Sequence, residues 1–216
     1  MNIAELVNGG KTDINITLTA DIDLTGKDWT PIGTDYDNSY TGTFDGGGHT
    51  ITGLTVTTND EYAGLFGYLG NFNNGAATVK NVVMDGIQIT CNHRSGYAGG
   101  VAGYSWGTIE NCSVSGSISG TIYVGGVVGA QRDHPITGCS SSATVKGTLN
   151  VGGVAGQTIF GATLTACYAT GNVIIEIDRT QNISGGGLVG FNDGISLLSC
   201  YATGNVTSTG SSTGYV

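Results

Sequence analysis

Apolar and polar residues alternate strictly along Ile14-Asn15-Ile16-Thr17-Leu18-Thr19-Ala20, the period-two signature of a half-buried strand. The same period runs through Cys167-Tyr168-Ala169-Thr170-Gly171-Asn172-Val173, which returns unchanged at 200–206. A relaxed copy, Cys112-Ser113-Val114-Ser115-Gly116-Ser117-Ile118, keeps the cysteine, the glycine four on and the apolar residue six on. Even offsets place these residues on one face of a strand. Ile51, Leu54 and Val56 continue a further strand after Gly42-Thr43-Phe44-Asp45-Gly46-Gly47-Gly48-His49-Thr50-Ile51. There the glycines supply positive φ for a tight turn, and Asp45 bonds its own backbone. A short helix is predicted over 2–9, with Asn2 as cap, Glu5 at the capping-box position and Gly9 at its end.

A glycine-marked motif organises the rest. Gly99-Gly100-Val101-Ala102-Gly103 returns as Gly125-Gly126-Val127-Val128-Gly129, Gly152-Gly153-Val154-Ala155-Gly156 and Gly186-Gly187-Leu188-Val189-Gly190, with a looser copy in Ala63-Gly64-Leu65-Phe66-Gly67. The shared glycines Gly64, Gly100, Gly126, Gly153 and Gly187 stand 36, 26, 27 and 34 residues apart. Cys112, Cys139, Cys167 and Cys200 follow the last four by 12, 13, 14 and 13 residues. In the first glycine-marked repeat Val82 or Val83 takes the place of the cysteine. Periods of about 20–50 residues signal a solenoid, propeller or array, whose units bury their apolar faces only by stacking.

The expected architecture is all-β: a parallel β-solenoid, a right-handed β-helix by first choice, with a β-propeller or prism-like array as second. Residues 1–28 read as an N-terminal cap with its short helix. Residues 29–216 read as one domain of repeats at 29–60, 61–95, 96–122, 123–150, 151–184 and 185–216. About seven coils, each of two or three short strands and stacked at about 4.8 Å, give a rod on the order of 30–35 Å long. The length differences fall in loops such as 71–75 and 174–180. Tyr215-Val216 repeats the Tyr123-Val124 lead-in to the next glycine pair. The expectation is that the native protein continues with another coil, and that the last coil here presents an open β edge able to self-associate end to end.

Composition narrows the partners. Glycine is 39 of 216 residues and proline only 2, which excludes collagen-like and Pro-rich linker classes. The net charge is −9 with 7 Lys+Arg, so no nucleic-acid partner is expected. No apolar run is long enough to span a bilayer. Residues 1–3 open neither a basic n-region nor an apolar h-region.

Candidate chemistry is sparse. The four in-step cysteines read as reduced, buried rungs of an inward ladder rather than as metal ligands, since no Cys-x-x-Cys pair exists; Cys91 lies off the ladder. Glycine at the repeated position implies positive φ or a backbone approach too close for a side chain. The acidic groups Asp21, Asp23 and Asp28, Asp35 and Asp37, and Asp60 and Glu61 lack the spacing of calcium loops and read as turn residues. His49, His93 and His134 have no nucleophile or second ligand at a telling spacing. No catalytic residue, metal or cofactor is expected. The segments after each glycine motif are richer: 68–72, 104–106, 131–134, 158–160 and 191–193. Stacked coils align them along one edge, where Tyr68, Tyr104, Trp106, Arg132, His134, Phe191 and Asn192 form a candidate surface for a host or matrix protein or a glycan. The competing reading folds these aromatics back over the core.

At Gly64-Leu65-Phe66-Gly67 and Gly187-Leu188-Val189-Gly190, and in the lead-in 42–51, the chain resembles the GLUG-repeat family. The resemblance covers roughly residues 20–216. It implies bacterial surface or secreted proteins, including adhesin-like proteins and non-catalytic regions of immunoglobulin-A-cleaving metallopeptidases, and it carries no catalytic residues. The metallopeptidase signature His-Glu-x-x-His is absent. The expected function is therefore a non-enzymatic extracellular or cell-surface module, adhesin-like or a stalk. The alternatives are a β-helical polysaccharide lyase or hydrolase, and an accessory region of a secreted protease.

Overall fold

The computed structural model describes residues 3–177, 183–193 and 196–210. Every strand pair among them is parallel, and the chain winds into a β-solenoid. Each full turn visits four faces in order. A glycine face carries Tyr97–Gly99, Tyr123–Gly125 and Asn150–Gly152, and an aromatic face carries Ala102–Ser105, Val128–Arg132 and Ala155–Ile159. A short face follows with Gly107–Glu110, Pro135–Thr137 and Thr163–Thr165. A long face then carries Ser113–Ser119, which later turns divide into two pieces such as Tyr168–Ala169 and Val173–Glu176.

The short face stacks 7 strands and the glycine and aromatic faces 5 each, and isolated bridges from Ile32 and Tyr40 carry the aromatic face back into the first turn. The stack amounts to about six turns rather than the expected seven. Each turn holds four or five strands rather than two or three, because two corners cut what the hydrophobic pattern alone reads as continuous strand.

The first corner is the Gly-Gly-Val motif between the glycine and aromatic faces. Val101, Val127 and Val154 point into the core there and are fully buried. The shared glycines do not adopt positive φ, which corrects one half of the expectation. They are glycine because neighbours crowd them. A methyl group on Gly100 would stand 2.6 Å from Val114 Cγ1 and 2.7 Å from the Gly126 carbonyl oxygen. On Gly126 it would collide with the Gly153 carbonyl and Ser141, and on Gly153 with the Gly187 carbonyl and Ala169. On Gly64 it would stand 2.7 Å from the Gly99 carbonyl, and on Gly187 2.9 Å from Ala202 Cβ.

The second corner sits between the short and long faces. One left-handed residue turns the chain in each rung: Asn81 (φ 56), Asn111 (φ 52), Gly138 (φ 64), Ala166 (φ 54) and Ser199 (φ 55). The residue after each is the ladder position. Pairing of Ser113 with Val83 aligns Cys112 with Val82, which settles the earlier ambiguity. Val82, Cys112, Cys139 and Cys167 are buried, Cys200 in the last described turn is half-buried, and all the cysteines are free thiols. The Cys112 backbone N–H donates to Cys139 Sγ at 3.4 Å, and that of Cys167 to Cys200 Sγ at 3.4 Å. Hydrogen bonding with Cys112 and then with Cys167, together with burial, pushes the Cys139 thiol well up. Cys91 is buried at the end of the long-face strand Val83–Cys91, donating to the Asp60 carbonyl at 3.3 Å.

Further inward rows complete the core: Val79, Ile109, Ile136 and Leu164 on the short face, and Ile89, Ile118, Val145 and Val173 on the long face. Burying one such side chain contributes about 1.5–3 kcal/mol, so each rung depends on the next to cover it.

The N-terminal helix spans Ile3–Asn8; Asn2 lies outside the described residues. Gly9 follows its last residue, but the left-handed turn belongs to Gly10 (φ 100). Asn8 ties the helix to the first turn, donating from Nδ2 to the Pro31 carbonyl at 3.0 Å and accepting the Gly33 N–H at 2.8 Å. Of the alternating stretch 14–20 only Ile16–Thr17 pairs as strand, against Phe44 and Asp45. Gly47 and Gly48 have φ of 60 and 79, and the Gly47 N–H donates to Asp45 Oδ1 at 2.9 Å, as the lead-in sequence implies. Val173–Glu176 is strand, so the loop expected at 174–180 starts later than 174. Its end, and Tyr215-Val216, lie outside the described residues.

Candidate interaction surface

Strand alternation splits the residues after the glycine motif into two rows. Tyr68, Tyr104, Ala130, Gln157 and Phe191 share one register position, and Leu69, Ser105, Gln131, Thr158 and Asn192 the next. The second row points inward. Leu69, Ser105, Gln131 and Thr158 are fully buried, and Thr158 Oγ1 donates to Asn192 Oδ1 at 3.2 Å. Asn192 thus shares the register of this inward row, although it is exposed in the last described turn. Gln131 fastens the corner from inside, its Nε2 donating to the Gly107 carbonyl at 2.7 Å and to the His134 carbonyl at 3.0 Å. His134 contributes that carbonyl, and its imidazole makes no ring contact with the edge among the described residues.

Of the first row, Tyr68 and Tyr104 join a tyrosine cluster, in which Tyr68 is buried. Tyr68 and Tyr104 stack at 4.6 Å, and Tyr97 and Tyr123 on the glycine face stack at 4.4 Å. Tyr62 bridges the two stacks, edge-on to Tyr68 at 5.1 Å and tilted on Tyr97 at 5.2 Å. Aromatic pairs at these separations contribute about 0.5–1.5 kcal/mol each beyond their buried area. Burial pushes the phenols of Tyr62, Tyr68 and Tyr97 well above their ordinary range, and that of Tyr104 upward against the opposing pull of Arg132. This cluster forms a secondary core outside the main one, and it shores up the glycine corner.

Beside it lies a strip that crosses four turns. Phe72 packs on Trp106 at 5.4 Å. The Arg132 guanidinium sits 5.0 Å from the Trp106 ring and 4.1 Å from the Phe160 ring. Asp133 holds the other side of Arg132 at 3.1 Å. Phe72 is 76% exposed and Phe160 57% exposed, so the strip opens to solvent and does not fold back over the core. Its backbone is built for this display. Phe160 adopts a left-handed φ of 55, a conformation a bulky residue rarely takes, and Asp133 one of 59. Phe72 stands on a loop pinned by buried Asn71, whose Nδ2 donates to the Tyr36 carbonyl at 2.8 Å and to Ser39 Oγ at 2.7 Å. The sequence marks the segments holding Phe72 and Phe160 but not those rings as contacts; both belong to the strip.

Asp23 and Asp35 serve turns, and Asp21 ties neighbouring coils. Asp35 accepts from the N–H groups of Asp37 and Asn38, each at 3.0 Å, and Asp23 from that of Thr25 at 2.9 Å. Asp21 accepts from Thr50 N–H at 2.9 Å and lies 3.3 Å from His49 Nδ1. The Thr50 hydrogen bond, then that with His49, lowers the Asp21 carboxyl below its ordinary value. Among the described residues no group of three or more His, Cys, Asp or Glu side chains could hold a metal ion, and no helix is long and apolar enough to cross a membrane.

The fold is a parallel β-solenoid with one repeated rung pattern. The GLUG motif matches at residues 95–119 and 181–207, each match running from one turn's glycine face to its long face. The chain is 40% identical over 123 residues to halomucin from Haloquadratum walsbyi, covering 52% of this chain and 1% of that protein. It is 39% identical over 101 residues to a protein described as a candidate Gly-rich membrane protein of Evansella cellulosilytica, covering 46% of this chain and 11% of that one. The chain thus spans a small part of both relatives. Among solved structures, a candidate immunoglobulin A1 protease from Bacteroides ovatus superposes with a TM-score of 0.78 at 25% identity, over 95% of this chain and 65% of that one. One of these relatives is named as a membrane protein, and the structural neighbour is described as a protease.

Proposed function

We propose that this solenoid is a non-catalytic, adhesin-like module of an extracellular or cell-surface protein, and that it binds a partner protein through the strip Phe72–Trp106–Arg132–Phe160. One observation carries the reading: Arg132 lies between Trp106 and Phe160 in a strip open to solvent. Trp, Tyr and Arg dominate the energetics of protein interfaces, because a flat ring or guanidinium offers large contact area for few rotors. Here the register of three turns holds the group in place before any partner arrives, which lowers the entropic cost of binding. The names of the relatives support a surface location, and the structural hydrogen bonds of Asp21, Asp23 and Asp35 support a non-catalytic role.

The test is binding to immobilised extracellular matrix and mucosal proteins by surface plasmon resonance, comparing wild type with Trp106→Ala and Arg132→Ala at matched melting temperature.

A further inference from the structure

We propose that the outer surface of the long face holds a second binding site, for a neutral saccharide. It rests on a different observation from the aromatic strip. Thr50, Val83, Ser113, Ser140, Tyr168 and Tyr201 form one outward row, held in register across consecutive turns. Two serines therefore stand between a valine and a tyrosine. Small side chains between large ones leave a notch three strand spacings long from Val83 to Tyr168, about 14 Å. The resulting cavity has a volume of about 400 Å³, within the roughly 300–1,000 Å³ of small-ligand sites.

The walls differ chemically. Tyr168 stacks flat on Tyr201, with ring centres 5.1 Å apart and planes 3° apart. The opposite ring face of Tyr168 consequently looks along the stack toward Ser140. Both rings are open to solvent, at 39% and 55% exposure. The floor and side present the hydroxyls of Ser113, Ser140 and Thr170, which have no side-chain hydrogen-bond partner among the described residues. The Asp85 carboxylate stands at the rim, accepting from Ser115 Oγ at 2.6 Å.

A pyranose ring matches both halves of this lining. Its C–H face packs on an aromatic face, while its hydroxyls both donate to a carboxylate and exchange hydrogen bonds with serine and threonine. Desolvating those hydroxyls against a purely apolar ligand would leave them unpaired, at a cost of about 1–3 kcal/mol each. No Lys, Arg or His lines the cavity, Asp85 does, and the chain carries −9, so an anionic saccharide is disfavoured.

The test is titration of the isotopically labelled 216-residue chain with cellotetraose, maltotetraose and chitotetraose, with tetragalacturonate as the anionic comparator, read by amide chemical shifts. At least one neutral tetrasaccharide should bind in the millimolar range or tighter and shift the amides of Ser113, Ser140 and Tyr168. Tyr168→Ala should weaken binding by about tenfold, the upper range for one ring contact. Ser140→Tyr, which fills the notch by adding a third ring to the stack, should abolish it while the remaining amide spectrum is preserved. Arg132→Ala should leave saccharide binding unchanged, so this site and the protein-binding strip stand or fall separately. The proposal is overturned by the absence of shifts with all three neutral sugars, by shifts confined to other faces, by undiminished binding to Ser140→Tyr, or by equal binding of tetragalacturonate.

Discussion

A methyl group on Gly100 would stand 2.7 Å from the carbonyl oxygen of Gly126, the glycine that follows it one turn along the stack. The approach recurs at Gly126 and Gly153, so the motif is a column of backbone in contact with backbone. Gly126→Val should accordingly destabilise the fold by roughly 1–3 kcal/mol, the usual penalty for overpacking. A lowered urea midpoint with unchanged slope is the expected result. An unchanged midpoint would show that the corner has room for a side chain.

Ala166 presents the opposite case. It turns the corner before Cys167 with φ of 54, and its methyl group is exposed. A left-handed alanine carries about 1–2 kcal/mol of strain. Ala166→Gly should relieve it, less the entropy that glycine adds to the unfolded chain, for a net gain of about 0.5–1 kcal/mol. Thermal melting should rise; a fall would mean that the rung, and not the residue, sets the strain.

These two positions also show what is legible in the sequence. Repetition fixes the stacking and the inward row of Cys112, Cys139 and Cys167, because every turn must repeat the same contacts. The left-handed corner is half legible: Asn81, Asn111 and Gly138 favour it, whereas Ala166 and Ser199 adopt it because the neighbouring rungs impose it. The glycine corner is half legible too: the repeated glycine implies close backbone approach, which the structure shows, but not that the turn is made without positive φ. The Arg132 contacts and the Ser113–Ser140 notch depend on which side chains meet across turns some 24–36 residues apart, and no local pattern encodes that.

The tyrosine cluster predicts alkaline behaviour. The phenols of Tyr62, Tyr68, Tyr97 and Tyr104, and that of Tyr40 in the main core, are all raised above their ordinary value of 10, chiefly by burial. The unfolded chain therefore loses these protons at lower pH than the folded one. Their contribution to stability is complete below about pH 10 and is lost progressively as pH rises above it. Tyrosinate absorbance should show a group of phenols that ionise only together with loss of the β-sheet circular dichroism signal. Smooth ionisation of every tyrosine near its ordinary value, with the fold intact, would contradict the packing of the cluster.

The strip around Arg132 is proposed to bind a partner protein and to play no part in holding the solenoid together. Surface plasmon resonance of Trp106→Ala and Arg132→Ala on immobilised extracellular proteins, alongside their melting curves, separates binding from folding. Truncating a central interface residue of this kind removes about 2 kcal/mol or more of binding energy, roughly a thirtyfold loss of affinity. The expected result is that loss for both variants, with melting temperatures close to wild type. Binding unaltered by either substitution, no binding by the wild-type chain, or a large fall in melting temperature would contradict it.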